Sequence, residues 1–506
     1  MTNRVPAALL LPLLYSALLY SALCSTTSSP AGVPSAEIES AIDMAHGAPS
    51  EFAADALLRI AALDPLDSAR RIHLIEEAFS RAAEAQQPFK RRSAVQRISS
   101  NAGFLDRAFG QDLDALSLRT RAVQAMLPLD AGKARQLFLG IPPVDVPLVS
   151  CSSFLVFDVD RYYDALAAAE QRAFTPEEVH DGAPYRFLLQ GIAAMAAPAQ
   201  VAPAARAILS SSLSGAEFPG AVAAFTAALR KMVADDRSFT YSLPAAGAQV
   251  LALIEECQRR RTSPLPLIEA YRLYLTTNFS AARCADDDLL EGSGTGSTAV
   301  YGQTLDQRSA DAIRFFNQRI RMTPLQPIQP AEAAPSTRIG AASGLRSCES
   351  GECQAMARQY RSLVFNSGGT ALPSAVRETA EWQERFRQFV AALAQWQDAS
   401  GPEGAQQFRE KCAFYGDLIG LSPGGRSREA ALRAMLEFLQ RSRSQANSRI
   451  EWFLPVNALI GRVGLDPLGW GHLADDLYHS NDAVIALYAQ LERVAPRPAP
   501  DILQLM

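Results

Sequence analysis

The sequence predicts an all-α protein, its helical hairpins stacked as an α-α superhelix in two lobes. Three observations point there. Apolar residues recur at helical spacing: Leu432, Met435, Leu436 and Leu439 form one stripe, and Trp382, Phe386, Phe389, Val390 and Leu393 another. A capping side chain precedes proline at Asp64-Pro65, Thr175-Pro176, Ser263-Pro264, Thr323-Pro324 and Asp466-Pro467. The cap oxygen accepts from first-turn amides, and proline fits the first helical position, where no N–H partner is needed. Sustained period-two alternation is absent; the one strand-like run, Val146 to Val159, is short and isolated.

Residues 1–24 read as an export signal, with Arg4, an apolar run from Val5 to Leu23, and small residues around Ser21-Ala22. Three fates fit: cleavage after Cys24, retention as an anchor, or lipid attachment at Cys24. Pro6 and Pro12 interrupt the run and Ser16 and Ser21 dilute it, which favours cleavage over a membrane span. Leu23 before the cysteine is bulkier than lipoprotein processing usually allows. The expected location is periplasmic or secreted, with a membrane or lipid anchor at the N-terminus as the alternative. No later stretch is apolar enough for a multi-span membrane region.

A flexible polar segment is expected over residues 25–48. An N-terminal helical lobe follows over 49–283, opening with the apolar sets Leu57, Leu58, Ala61 and Ile72, Ile75, Phe79. Leu63-Asp64-Pro65-Leu66-Asp67, followed by Leu74-Ile75, aligns with Leu127-Pro128-Leu129-Asp130, followed by Leu137-Phe138, and Leu465-Asp466-Pro467-Leu468 repeats the step. Two amphipathic helices joined by a proline-containing turn make a hairpin, and stacked hairpins make a superhelix. In this respect the chain resembles the tetratricopeptide and HEAT helical-repeat families. The resemblance is architectural: the 34-residue tetratricopeptide pattern is absent, so no functional residue is carried over. The basic clusters Lys90-Arg91-Arg92 and Arg259-Arg260-Arg261 read as solvated neighbours of helix C-termini. Helices over 245–260 and 264–283 are expected to form a hairpin.

Residues 284–346 read as a Gly/Ser/Pro-rich connection carrying one helix near 305–321. A C-terminal helical lobe is expected over 347–497, and a tail over 498–506. All four tryptophans, Trp382, Trp396, Trp452 and Trp470, lie in that lobe, which predicts a dense core of its own.

The formal charge of −5 gives no electrostatic footprint for nucleic acid. Beyond the signal region lie six cysteines: Cys151, Cys257, Cys284, Cys348, Cys353 and Cys412. In an oxidising compartment an even count permits up to three disulfides. A hairpin places Cys257 at its turn and Cys284 at its far end, ~24 Å apart along the axis, so these two should not pair. The disulfide candidates are Cys284, Cys348 and Cys353. Bridging Cys284 to Cys348 or Cys353 closes a loop of ~65 residues, worth roughly 4 kcal/mol on the chain-entropy argument. A local Cys348–Cys353 bridge is the alternative.

The candidate chemistry is sparse. Glu349-Ser350 resembles the Glu-Ser pair of lytic transglycosylases, in which a single glutamate acts as the acid. The family's following Gly-Leu-Met-Gln-type stretch is replaced here by Gly351-Glu352-Cys353-Gln354, and the plainer reading is a turn pinned by a disulfide. His472, Asp475, Asp476 and His479 share a helix face, but ~10 Å separates the histidines along the axis, which favours an exposed face over a metal site. Asp286-Asp287-Asp288 lacks the alternation and closing glutamate of a calcium loop. Gly292-Ser-Gly-Thr-Gly-Ser297 lacks the lysine of a phosphate loop. No cofactor or metal is expected, and no catalytic residue is assigned.

The expectation is therefore an exported helical-repeat protein that binds or scaffolds in the cell envelope, more in keeping with a non-enzyme. Its partner would be a protein or an envelope polymer. The alternatives are a cell-wall glycan-acting enzyme with dispersed catalytic residues and a structural component of an envelope assembly.

Overall fold

In a computed structural model of the chain, the described residues are 35–93, 101–150, 153, 155–232, 236–280, 350–397, 399, 401–422, 425–465 and 471–497. Among the described residues 73% are helical, in 22 helices beside one two-stranded sheet, so the all-α class is what the periodicity predicts. The first part runs α1 (Ser35–His46), α2 (Ser50–Ala61), α3 (Ser68–Ala82), β1 (Lys90–Ser93), α4 (Asn101–Phe109), α5 (Ala115–Met126), α6 (Ala131–Leu139) and β2 (Leu155–Asp158). It continues with α7 (Asp160–Arg172), α8 (Pro176–His180), α9 (Ala183–Ala193), a 3-10 turn (Pro198–Gln200), α10 (Val201–Ser210), α11 (Phe218–Lys231), α12 (Arg237–Arg259) and α13 (Leu265–Ser280). The last part holds α14 (Gly351–Val364), α15 (Ser374–Arg377), α16 (Ala380–Gln395), α17 (Gly401–Leu421), α18 (Gly425–Arg441), α19 (Arg449–Gly464), α20 (Gly471–Tyr478) and α21 (Ala483–Val494).

The expected stripes face the core. Leu432, Met435, Leu436 and Leu439 are buried along α18, and Trp382, Phe386, Phe389 and Leu393 along α16. The indole N–H groups of the buried tryptophans find carbonyl or carboxylate acceptors: Trp382 donates to Leu363 O, Trp452 to Leu439 O, and Trp396 to Glu352 Oε2. A buried indole without such an acceptor would forfeit part of the stabilisation its area provides.

The punctuation holds in part. Thr175 caps α8 in a capping box with Glu178, and Pro176 takes the first helical position. At Asp64-Pro65 the expectation is corrected. The pair lies in the turn, and the cap of α3 is Asp67, which accepts from Arg70 N at 2.8 Å. Asp130 does the same for α6, accepting from Lys133 N at 2.9 Å. The Pro-Leu-Asp step shared by residues 65–67 and 128–130 therefore ends in the capping aspartate, a device worth about 1 kcal/mol each time. Helix α13 starts at Leu265, directly after Pro264. Thr323-Pro324 and Asp466-Pro467 lie outside the described residues.

Two further expectations are corrected. Half of the segment expected to be flexible, 25–48, is helix α1, because Ile38, Ala41, Ile42 and Ala45 form a buried helical stripe. Lys90-Arg91-Arg92 is not a solvated helix neighbour but strand β1. It pairs antiparallel with β2, setting Arg91 opposite Phe157 and Lys90 opposite Asp158. The strand-like run near Val159 is thus not isolated. Arg259 and Arg260 do end a helix, and both pair with Glu256.

Neighbouring helices pack in sequence over much of the chain: α2 on α3, α5 on α6, α16 on α14, and α18 on both α17 and α19. The chain also closes on itself. Helix α21 packs on α1 and α2, and α19 on α4. The rings of Phe52, Phe453 and Tyr488 meet there, with centroids 4.8 Å (Phe52–Phe453) and 4.4 Å (Phe453–Tyr488) apart. The described C-terminal helices therefore share one apolar cluster with the N-terminal ones instead of holding a core of their own.

Candidate functional site

Where the ends of the chain meet, polar side chains tie the helices together. Arg449, at the start of α19, lies 2.9 Å from the fully buried Glu51 of α2, and its backbone N–H donates to Gln86 Oε1. Asn457 donates to Gln111 Oε1 and accepts from Arg497. Arg59 reaches both Glu492, at 3.2 Å, and the Ala495 carbonyl.

Beside this junction lies a pocket of about 480 Å³, within the size range of small-ligand sites. Five stretches of chain wall it: Gln87 and Arg91 at β1, Leu105 and Phe109 on α4, Ser153 and Leu155 at β2, Asn447 and Ser448 before α19, and Glu451 on α19. Leu105, Phe109 and Leu155 give it an apolar part, and the other lining residues are polar.

Local sequence explains why each group points inward. The β-ribbon places Arg91 across from Phe157, and its guanidinium packs over Phe109 at 5.4 Å and Phe157 at 5.3 Å. Two aromatic faces hold the planar cation by cation–π attraction and limit its rotamers. Arg91 has neither an ion pair nor a hydrogen bond among the described residues, and its Nε is buried without a partner. Burial pulls its pKa down, and the Glu451 carboxylate partly restores it. Glu451 sits in the first turn of α19, its N–H donating to the capping Ser448 Oγ at 3.3 Å. Burial pushes the Glu451 carboxyl above its ordinary range, against Arg409 at 3.3 Å. The Glu451 charge is thus balanced by Arg409, and Arg91 is left as the surplus cation on the wall.

Sequence reasoning singled out none of these residues as a site. Arg91 was visible only as part of a basic cluster. Ser448-Arg-Ile-Glu451 before an apolar run marks a helix start, but nothing in it signals a pocket. The residues it did single out lie elsewhere. Ser350 caps α14, accepting from Cys353 N at 3.0 Å, while Glu349 lies outside the described residues. His472, Asp475 and Asp476 are exposed on α20 and His479 is exposed just past its end, with Asp476 paired to Arg433 at 2.6 Å. Among the described residues no cluster of His, Cys, Asp or Glu is placed to hold a metal. Asp286-Asp287-Asp288, the Gly292–Ser297 run and residues 1–34 lie outside the described residues.

The cysteines divide. Cys257 and Cys412 are buried free thiols, so a full set of three disulfides is ruled out. Cys257, inside α12, is not bridged to Cys284, in keeping with the hairpin geometry. Cys353 is buried and disulfide-bonded, and no partner for it lies among the described residues. Cys284 and Cys348 lie outside them.

No protein-family model, no curated protein and no solved structure matches this chain. No helix among the described residues is long and apolar enough to cross a membrane.

Proposed function

We propose that this chain is an exported all-α protein that binds a partner in the cell envelope, with the pocket between β1 and α19 as its binding site. One observation carries the reading: Arg91 stands at the pocket wall, held between two rings, its charge unmatched by any direct partner. The apolar lining residues Leu105, Phe109 and Leu155 supply the desolvated surface that a binding pocket needs. Helical hairpins stacked behind it would hold the site on a rigid frame in a scaffold exported by the signal at residues 1–24.

Binding is favoured over hydrolysis by a carboxylate pair because Glu451 is the one carboxylate among the described residues that line the pocket, and Arg409 holds it. Hydrolysis by a carboxylate pair needs two such groups about 5–10 Å apart across the substrate.

Crosslinking in living cells tests the reading. A photoreactive residue at Asn447, on the exposed pocket mouth, should give a defined product in the envelope fraction, and one at exposed Val179 on α8 should not. Equal yields from both positions, or a product found only in the cytoplasm, would contradict it.

A further inference from the structure

We infer that the pocket takes a monoanionic carboxylate ligand with an apolar body, and that Arg91 is the group that meets the acid. The inference rests on the pocket being the binding site.

Charge decides the anion. Among the described lining residues the charged groups are Arg91 and Glu451, and Arg409 pairs with Glu451 at 3.3 Å. One positive charge is left over. A carboxylate matches it and can accept two parallel N–H bonds from the guanidinium fork. A phosphate dianion would bring a second charge beside Glu451, where it would be repelled. A neutral ligand would bring the cation no counter-charge, and a ligand cation would be repelled outright.

Shape decides the rest. The guanidinium cannot swing freely, because Phe109 and Phe157 flank it at 5.4 and 5.3 Å. The acid must therefore come to Arg91. Phe109 belongs both to this clamp and to the apolar wall with Leu105 and Leu155. A ligand whose acid meets Arg91 lays its neighbouring carbons along those three side chains. Gln87, Ser153 and Asn447 complete the wall with amide and hydroxyl groups suited to a backbone-like amide next to the acid. A C-terminal peptide end and a small free acid share this chemistry.

Calorimetric titration of the purified chain separates the cases. The probes are N-acetyl-leucine, its primary amide, and a leucine-ended tripeptide with a free or amidated terminus. The free acids should bind about tenfold or more tightly than their amides, the loss expected for removing one charge-assisted contact. Arg91→Met should abolish that preference and Arg91→Lys should weaken it, with the melting transition showing that each variant is folded. Asn447→Trp, which fills the mouth without touching Arg91, should also weaken binding. Tighter binding of the tripeptide acid than of N-acetyl-leucine assigns the natural ligand to a chain end, and equal binding assigns it to a small acid. Acid and amide binding alike, no acid binding at all, or a folded Arg91→Met variant that keeps the preference overturns the inference. If the acids fail while crosslinking from position 447 still yields its envelope product, the ligand class falls and the pocket stands. If both fail, the reading of the pocket falls with it.

Discussion

The Tyr488 hydroxyl donates to Asp55 Oδ2 at 2.7 Å, joining residues 433 apart in the sequence. Arg121 holds the other carboxylate oxygen at 2.8 Å, and the Arg59 guanidinium lies over the Tyr488 ring. Burial would push the Asp55 carboxyl up, but Arg121, Arg59 and the tyrosine hydroxyl outweigh it and hold the group below its ordinary value. Closing so long a loop costs little more than closing a shorter one, since closure entropy grows only with the logarithm of length. The buried rings of Phe52, Phe453 and Tyr488 offset that cost.

Removing this bond should weaken the whole fold. Tyr488→Phe leaves one carboxylate oxygen of Asp55 short of a donor and should cost about 1–2 kcal/mol. Asp55→Ala leaves Arg121 facing a buried site without its partner and should cost about 3 kcal/mol or more. Urea unfolding curves give both numbers. Because the Asp55 pKa is depressed in the folded state, its contribution is present above the unfolded value of 3.8 and is lost as pH falls below it. The gap between wild type and Asp55→Ala should therefore shrink on going from pH 7 to pH 3.

Asp114 behaves in the opposite sense. It caps α5, accepting from Ser117 N at 2.9 Å, but it is almost fully buried, and burial pushes its carboxyl up to about 6. The folded state thus binds more protons than the unfolded one between pH 3.8 and about 6, and stability falls as pH rises through that window. Asn keeps the capping oxygen without the charge. Asp114→Asn should stabilise the chain by about 1–2 kcal/mol at pH 7 and have little effect at pH 4, as read from melting transitions at the two pH values.

The free cysteines should be inert until the fold opens. Burial raises the Cys257 thiol to about 11 and pushes Cys412 up further, so neither offers a useful thiolate fraction at pH 8. Iodoacetamide should leave both unmodified in the native chain and alkylate both in denaturant. Cys353 should react only after reduction, and non-reducing peptide mapping should find it linked to Cys284 or Cys348. Prompt labelling of Cys412 in the native chain would contradict the packing described for α17.

What the sequence made legible was local. Stripes at helical spacing announced α16 and α18, and the shared Pro-Leu-Asp step marks two capped helices, although the cap of the first is Asp67 and not the Asp64 before its proline. Helix α1 carried a stripe as clear as the others, but its place beside the apolar N-terminal run disguised it. Strand β1 was hidden because its partner β2 lies more than 60 residues away, and a lone Lys-Arg-Arg run has no period to read. The pocket was hidden for the same reason, more severely. Gln87, Arg91, Phe109, Ser153 and Glu451 come together only after the last helices return to the first, and no spacing within any one segment foretells that.

Hydrogen exchange on the purified chain tests most directly whether the two ends close into one fold around the pocket. The amides of β1, α2, α19 and α21 should open together, and Tyr488→Phe should lower their protection by a common factor of about ten. Faster exchange confined to α21, with β1 and α2 unchanged, would show that the C-terminal helices rest on the fold without completing it.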